Sequence, residues 1–152
     1  MDTLLLWIPG GEVLNLQEEN EKKKEYLSQY LRAMRREQDV LTEIQRLRAD
    51  RMFPSIVNDG MPGGGDCGDL SDYVAILDEQ IELLKKERLE KIRVYSDIQK
   101  RLRTMEDDAE RDVLWHRYIW GMQWGDIADV MGYSIRQILR IHGCALKNFK
   151  MS

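Results

Sequence analysis

A chain of 152 residues has room for one domain, or for a small module joined to an extended one, and this excludes a large enzyme. With 33% charged and 8% aromatic residues, the composition suits exposed helices with narrow apolar stripes better than a thick globular core. The net charge of -4 averages two unlike parts: from Arg111 onward six basic side chains stand against three acids, a net +3, so the residues before it carry -7.

From Ser134 to Ser152 there are four basic residues and no acid, the local pattern that phosphate binding needs. Cys67 and Cys144 are the only cysteines and neither has a neighbour at metal-ligand spacing, so no disulfide framework, metal site or cofactor is expected. The apolar run Leu4 to Ile8 lacks a basic flank and falls far short of the roughly 20 residues that span a bilayer. A cytoplasmic, nucleoid-associated protein with no membrane partner is the expectation.

Residues 1–17 show no helical period and contain Pro9-Gly10-Gly11, which predicts a flexible N-terminal tail that docks, if at all, through Leu4 to Ile8. Gly10 to Val13 can be encoded by a purine-rich ribosome-binding sequence, making Leu14 a candidate non-AUG start that the intact mass of the native protein would test.

From about Glu18 to Arg51, Leu27, Tyr30, Leu31, Met34, Leu41, Ile44 and Leu47 recur in mostly helical steps with charge between them, which predicts one long amphipathic helix. Phe53-Pro54 stops it, and a glycine-rich loop over 54–70 follows. No Lys-Ser/Thr pair follows the glycines and no strand precedes them, so the loop is a linker and not a phosphate cradle.

A second long helix from about Ser71 to Arg103 carries Val74, Leu77, Ile81, Leu84, Leu89, Ile92, Tyr95, Ile98 and Leu102, with Met105 just beyond. Helices of this length need a partner, and the loop lets the two fold back antiparallel. Residues 18–105 are thus predicted to form an antiparallel, coiled-coil-like helical hairpin.

Residues 106–152 read as three short helices. Asp107-Asp108 starts the first, and Val113, Leu114, Tyr118 and Ile119 continue it until Gly121. Trp124, Ile127, Ala128 and Met131 form the apolar face of the second, and Ala128 allows a close helix crossing. Gly132 then supplies a left-handed turn and Ser134 an N-cap, the punctuation of a helix-turn-helix.

On the third helix Ile138, Ile141, Ala145 and Phe149 share one side, while Arg136, Arg140 and Lys147 stack on the other. A helix of this kind fits the major groove of double-stranded DNA. Ser134, Arg136, Gln137 and Arg140 are assigned to base edges. Lys147, Lys150 and the N-terminal end of the Trp124 helix are assigned to backbone phosphate.

Arg117-Tyr118-Ile119, Gly121, Trp124, Asp126-Ile127-Ala128, Met131-Gly132-Tyr133-Ser134, Arg136-Gln137-Ile138, Arg140-Ile141-His142 and Ala145-Leu146-Lys147 together resemble region four of sigma factors. With Met61 to Gly65 as a Met-Pro-Gly-Gly-Gly loop between two long helices, the chain resembles small phage and prophage proteins of unassigned function that carry such a region. The resemblance implies transcription control of the late-regulator kind. Departures are Gln123 where Ser or Thr is usual, Gly125 in place of a helix former, and His116 where leucine is common. Ile135 and Leu139 replace polar groups beside the reading helix, where they reach thymine methyls or a protein partner. Of Trp115, Trp120 and the other two tryptophans, two are expected in the core and one as an exposed anchor.

The leading expectation is therefore an all-α, sequence-specific DNA-binding transcription regulator. Its hairpin either pairs two copies as a homodimer or presents a surface to RNA polymerase. A DNA-packaging adaptor resembling small terminase subunits, and an RNA-polymerase-binding protein without sequence-specific DNA contact, are the alternatives. No nucleophile, paired carboxylate or ligand set supports an enzyme.

Overall fold

The computed structural model describes the backbone of residues 10–52 and 67–151 and the side chains of 15–50 and 71–151. Among these residues every regular element is a helix: α1 (Gly10–Leu27), α2 (Gln29–Met52), α3 (Cys67–Arg103), α4 (Asp108–Tyr118), α5 (Trp124–Met131) and α6 (Ile135–Asn148). The all-α expectation holds. No described helix is long and apolar enough to cross a membrane.

Some boundaries differ from those read off the periodicity. Helix α1 begins at Gly10, inside the stretch expected to be an irregular tail, and α3 begins at Cys67, before Ser71. The single helix expected from Glu18 to Arg51 is two, divided at Ser28. The Ser28 hydroxyl donates to the Lys24 carbonyl at 2.7 Å, and the Ser28 N–H reaches the same oxygen at 2.9 Å. A serine bonded back to its i-4 carbonyl competes with the helical ladder, and an apolar stripe carries no trace of that competition. The Leu4 to Ile8 run, the Phe53-Pro54 stop and Met61 to Gly65 lie outside the described residues.

Packing divides the chain into two units: Arg32–Arg93 forms one, and the residues up to Leu31 together with those from Val94 form the other. In the first of these, side chains of α2 and α3 bond to one another. Arg36 Nε meets Glu87 at 3.0 Å, Arg88 Nε meets Glu37 at 2.8 Å, and the Tyr73 hydroxyl donates to the Leu47 carbonyl at 3.3 Å. The apolar seam is narrower than its spacing suggested. Met34, Val74, Leu89 and Ile92, all expected in it, are exposed, and Ala33 and Glu37 occupy the buried row on α2 beside Ile44.

Glu37 is only 7% exposed and is shared by Arg88 and Lys91. The hydrogen bond from Lys91, with Arg88 behind it, holds its carboxyl below the usual carboxylate range against the opposing effect of burial. Glu37→Ala strands two half-solvated cations and is expected to cost about 1–2 kcal/mol in urea unfolding. Glu37→Leu replaces the lost pairing with apolar burial and should cost clearly less. Equal losses for the two variants would show that seam packing does not extend to position 37.

The other unit has a core of Leu27, Ile98, Leu102, Leu114, Ala145, Leu146 and Phe149, drawn from α1, α3, α4 and α6 and the residue that ends α6. Each large aliphatic or aromatic side chain fully removed from water there contributes about 1.5–3 kcal/mol. A smaller cluster of Val113, Ile127, Ala128 and Ile138 joins α4, α5 and α6. Lys23 of α1 is buried, and its Nζ donates to the carbonyls of Leu146 at 2.9 Å and Lys147 at 3.4 Å. It thereby places a cation on the electronegative end of α6.

His142 is also buried here, its Nε2 2.9 Å from the Tyr118 hydroxyl and its ring edge-on to Trp124. Burial, then the charges of Lys24 and Arg117, push its pKa down to about 4. The folded state therefore keeps this imidazole neutral where the unfolded chain protonates it. Its contribution is complete above the unfolded pKa of about 6.5 and is lost as pH falls from there towards 4, a loss of about 3 kcal/mol at most. Urea midpoints between pH 7 and pH 4.5 should accordingly fall more steeply for the parent than for His142→Gln; parallel slopes would mean that His142 is not the group responsible.

Candidate functional site

The site is built by the turn that joins α5 to α6. Gly132 ends α5 in the left-handed region at φ 73°, and the Tyr133 N–H closes on the Ala128 carbonyl at 3.0 Å. A side chain at Gly132 would be strained in that conformation, so glycine is what lets the chain turn from α5 into α6 across the three residues Gly132 to Ser134. Ser134 follows with extended dihedrals and starts α6.

Ser134 and Gln137 form a capping box. The Gln137 N–H donates to the Ser134 Oγ at 3.2 Å, while the Ser134 N–H donates to the Gln137 Oε1 at 2.9 Å. The sequence assigns both residues to base edges. The structure shows both holding the first turn of α6, although each remains exposed. The Ser-x-x-Gln spacing carries this signal, of which only the N-cap half enters the sequence-based assignment.

α5 is started less well. Its N-cap Gln123 makes no side-chain capping bond, as the departure from Ser or Thr predicts. The exposed acid Asp126 stands in its first turn, where it opposes the approach of another anion. Trp124, assigned to the DNA contact, is half-buried as a packing residue: the Arg117 guanidinium lies 4.5 Å from its ring centroid and the His142 ring 4.7 Å. Arg117 also donates to the Met122 carbonyl at 2.9 Å, fixing the α4–α5 connection.

The six basic residues from Arg111 onward therefore separate by role. Arg111 pairs with Asp108 at 2.7 Å and Arg117 is spent on the loop and the indole. Among the described residues, the side chains of Arg136, Arg140, Lys147 and Lys150 are exposed and make no ion pair or hydrogen bond. Arg136, Arg140 and Lys147 lie within one narrow strip of α6, opposite the buried row Ile138, His142, Ala145 and Phe149.

Lys150 is set apart. It follows the end of α6, roughly 20 Å along the helix axis from Ser134, and lines a cleft with Lys100, Arg101, Glu106, Asp107 and Glu110. Ile135 and Leu139 flank the cationic strip at 51% and 46% exposure. Of the tryptophans, Trp120 is exposed and stands edge-on to His116, whose Nδ1 lies 2.6 Å from the Asp112 carbonyl; Trp115 is half-buried against Tyr95.

Three residues that hold the site escape sequence reasoning: Lys23, Tyr118 as partner of His142, and His142 as a buried group. A lysine among many carries no periodic signal, and although His142 falls on the apolar side of α6 by spacing, nothing local names Tyr118 as its partner. No protein-family model, no curated protein and no solved structure matches this chain.

Removing the cap should be measurable without any ligand. Ser134→Ala is expected to lower stability by about 1 kcal/mol, and combining it with Gln137→Ala should cost less than the sum of the two, because they share one pair of bonds. Full additivity in urea unfolding would deny the reciprocal cap.

Proposed function

We propose that this chain is a sequence-specific DNA-binding transcription regulator of phage or prophage type. In this reading α5 and α6 form a sigma region-four-like helix-turn-helix, and α6 is the reading helix. Residues 18–105 are an antiparallel helical hairpin that pairs two copies or meets RNA polymerase. The observation that carries the reading is the cationic strip of α6: Arg136, Arg140 and Lys147 are exposed without partners while the opposite side of the same helix is buried.

A chain that leaves three unpaired cations on one face of a well-capped helix presents a surface suited to a polyanion, and helix width suits the major groove. The two arginines take base edges, since the guanidinium fork matches the guanine O6/N7 pair, and Lys147 takes phosphate. Ser134 and Gln137 set the helix in place, with the Gln137 amide NH2 left for a base edge. Ile135 and Leu139 supply apolar contact to thymine methyls. The acidic balance before Arg111 disfavours that part of the chain as a DNA contact.

The test is selection of duplexes from a random pool followed by binding measurements. Arg136→Ala and Arg140→Ala should each cost about 1–3 kcal/mol on the selected duplex and relax its sequence preference. Lys147→Ala should weaken all duplexes alike and lower the salt slope by about 1. Retention of affinity and selectivity by all three variants would overturn the reading. A large ring in solution that binds DNA without sequence preference would replace it with a packaging role, and the absence of salt-sensitive DNA binding would replace it with a polymerase-binding role.

A further inference from the structure

The strip of cations on α6 contains a residue that nothing within the described chain requires. Gly143 lies on the solvent side of α6, between Leu139 and the row of Arg136, Arg140 and Lys147. Glycine in a helix interior is less stable than alanine, because it loses more backbone freedom on folding. Gly121 and Gly132 have a reason in their positive φ angles of 67° and 73°. Gly143 has a negative one, and a Cβ added to it would meet nothing within 4 Å. Gly125 is equally open but stands in the first turn of α5, where the helical penalty is smaller.

Neither backbone conformation nor any described neighbour therefore asks for glycine at 143. The spacing of the strip suggests what does. Gly143 is roughly 12 Å along the axis from Ile135, close to the width of the major groove. With the first turn of α6 at the base edges, Gly143 stands at the rim, where a phosphate strand passes. Arg140 and Lys147 lie one turn to either side of it, roughly 4.5 Å and 6 Å away along the axis, both exposed and unpaired.

We propose that Gly143 is a close-approach point at which the sugar-phosphate backbone of duplex DNA lies directly against the α6 main chain and is held by Lys147, while Arg140 reaches past it to a base edge. The missing side chain shortens the distance from Lys147 to the phosphates and from Arg140 to its base. This rests on the DNA-binding reading and adds to it a steric requirement at a position with no functional group. Unpaired cations on both sides favour a phosphate strand over an apolar protein surface as the occupant.

The experiment compares Gly143→Ala, Gly143→Leu and Cys144→Ala with the parent full-length chain, by fluorescence anisotropy on the selected duplex and on a random-sequence duplex. Gly143→Ala should raise the thermal midpoint yet weaken both duplexes about threefold to tenfold, and Gly143→Leu should weaken both by more than about thirtyfold. The Cys144 variant should bind as the parent does. A Gly143→Ala or folded Gly143→Leu protein that binds as tightly as the parent, while Arg140→Ala is weakened, overturns the close approach and leaves the DNA reading intact. Loss on the selected duplex alone also overturns it, since phosphates carry no sequence. A parent chain that binds no duplex overturns both.

Discussion

Ile138, Ala145, Leu146 and Phe149 are removed from water against α1, α4 and α5, and this one-sided burial fixes the rotation of α6 about its own axis. A rotation of one residue step would turn Arg136 and Lys147 toward the core in one direction and Gln137 and Asn148 in the other, each at a desolvation cost without a partner. The exposed cationic strip is thus a consequence of the apolar one. Phe149 fastens the far end of the helix and the Ser134–Gln137 cap fastens the near end, so the strip is presented by a rod held at both termini.

Polar groups inside the protein follow one rule. Lys23, Glu37 and His142 are the buried polar or charged residues among those described, and each has a partner suited to its charge: α6 carbonyls for Lys23, two cations for Glu37, and a phenol hydroxyl for a histidine kept neutral. No buried side-chain nitrogen or oxygen among the described residues lacks a hydrogen bond. In a chain this rich in charge, such pairings add directional preference to stripes that hydrophobicity alone defines loosely. Glu37 shows this within its own unit, because a carboxylate that must face both Arg88 and Lys91 disfavours sliding of α2 along α3.

The same economy governs the exposed charge. Arg111 and Arg117 have the residue type of a phosphate contact but are engaged by Asp108 and by the Met122 carbonyl and Trp124 ring. What distinguishes Arg136, Arg140 and Lys147 is that no acid lies within reach on their own helix, which contains none. Their freedom arises from local sequence, whereas the engagement of Arg117 arises from a loop that returns to it.

Much of the architecture was legible in the chain. Helical class, the extents of α5 and α6 and the Gly132 turn follow from local chemistry: periodicity, capping side chains and the one residue that accepts a left-handed backbone. The opposition of Ile138 and Phe149 to Arg136 and Arg140 follows from the 100° step alone. The break at Ser28, the early start of α1 and the exposure of Met34, Leu89 and Ile92 were not legible, because an apolar residue at helical spacing does not say how wide a seam its neighbour will cover. The capping role of Gln137 was written in the Ser134-x-x-Gln137 spacing, but the burial of Lys23 and the pairings of His142 and Trp124 were not legible. Those outcomes depend on groups distant in sequence, such as Leu146 for Lys23 and Tyr118 for His142. Residue order alone assigns each helix its faces, since the helical step is a local property. Which side chains on those faces stay unoccupied is settled by folding, because it depends on the groups that come within bonding distance.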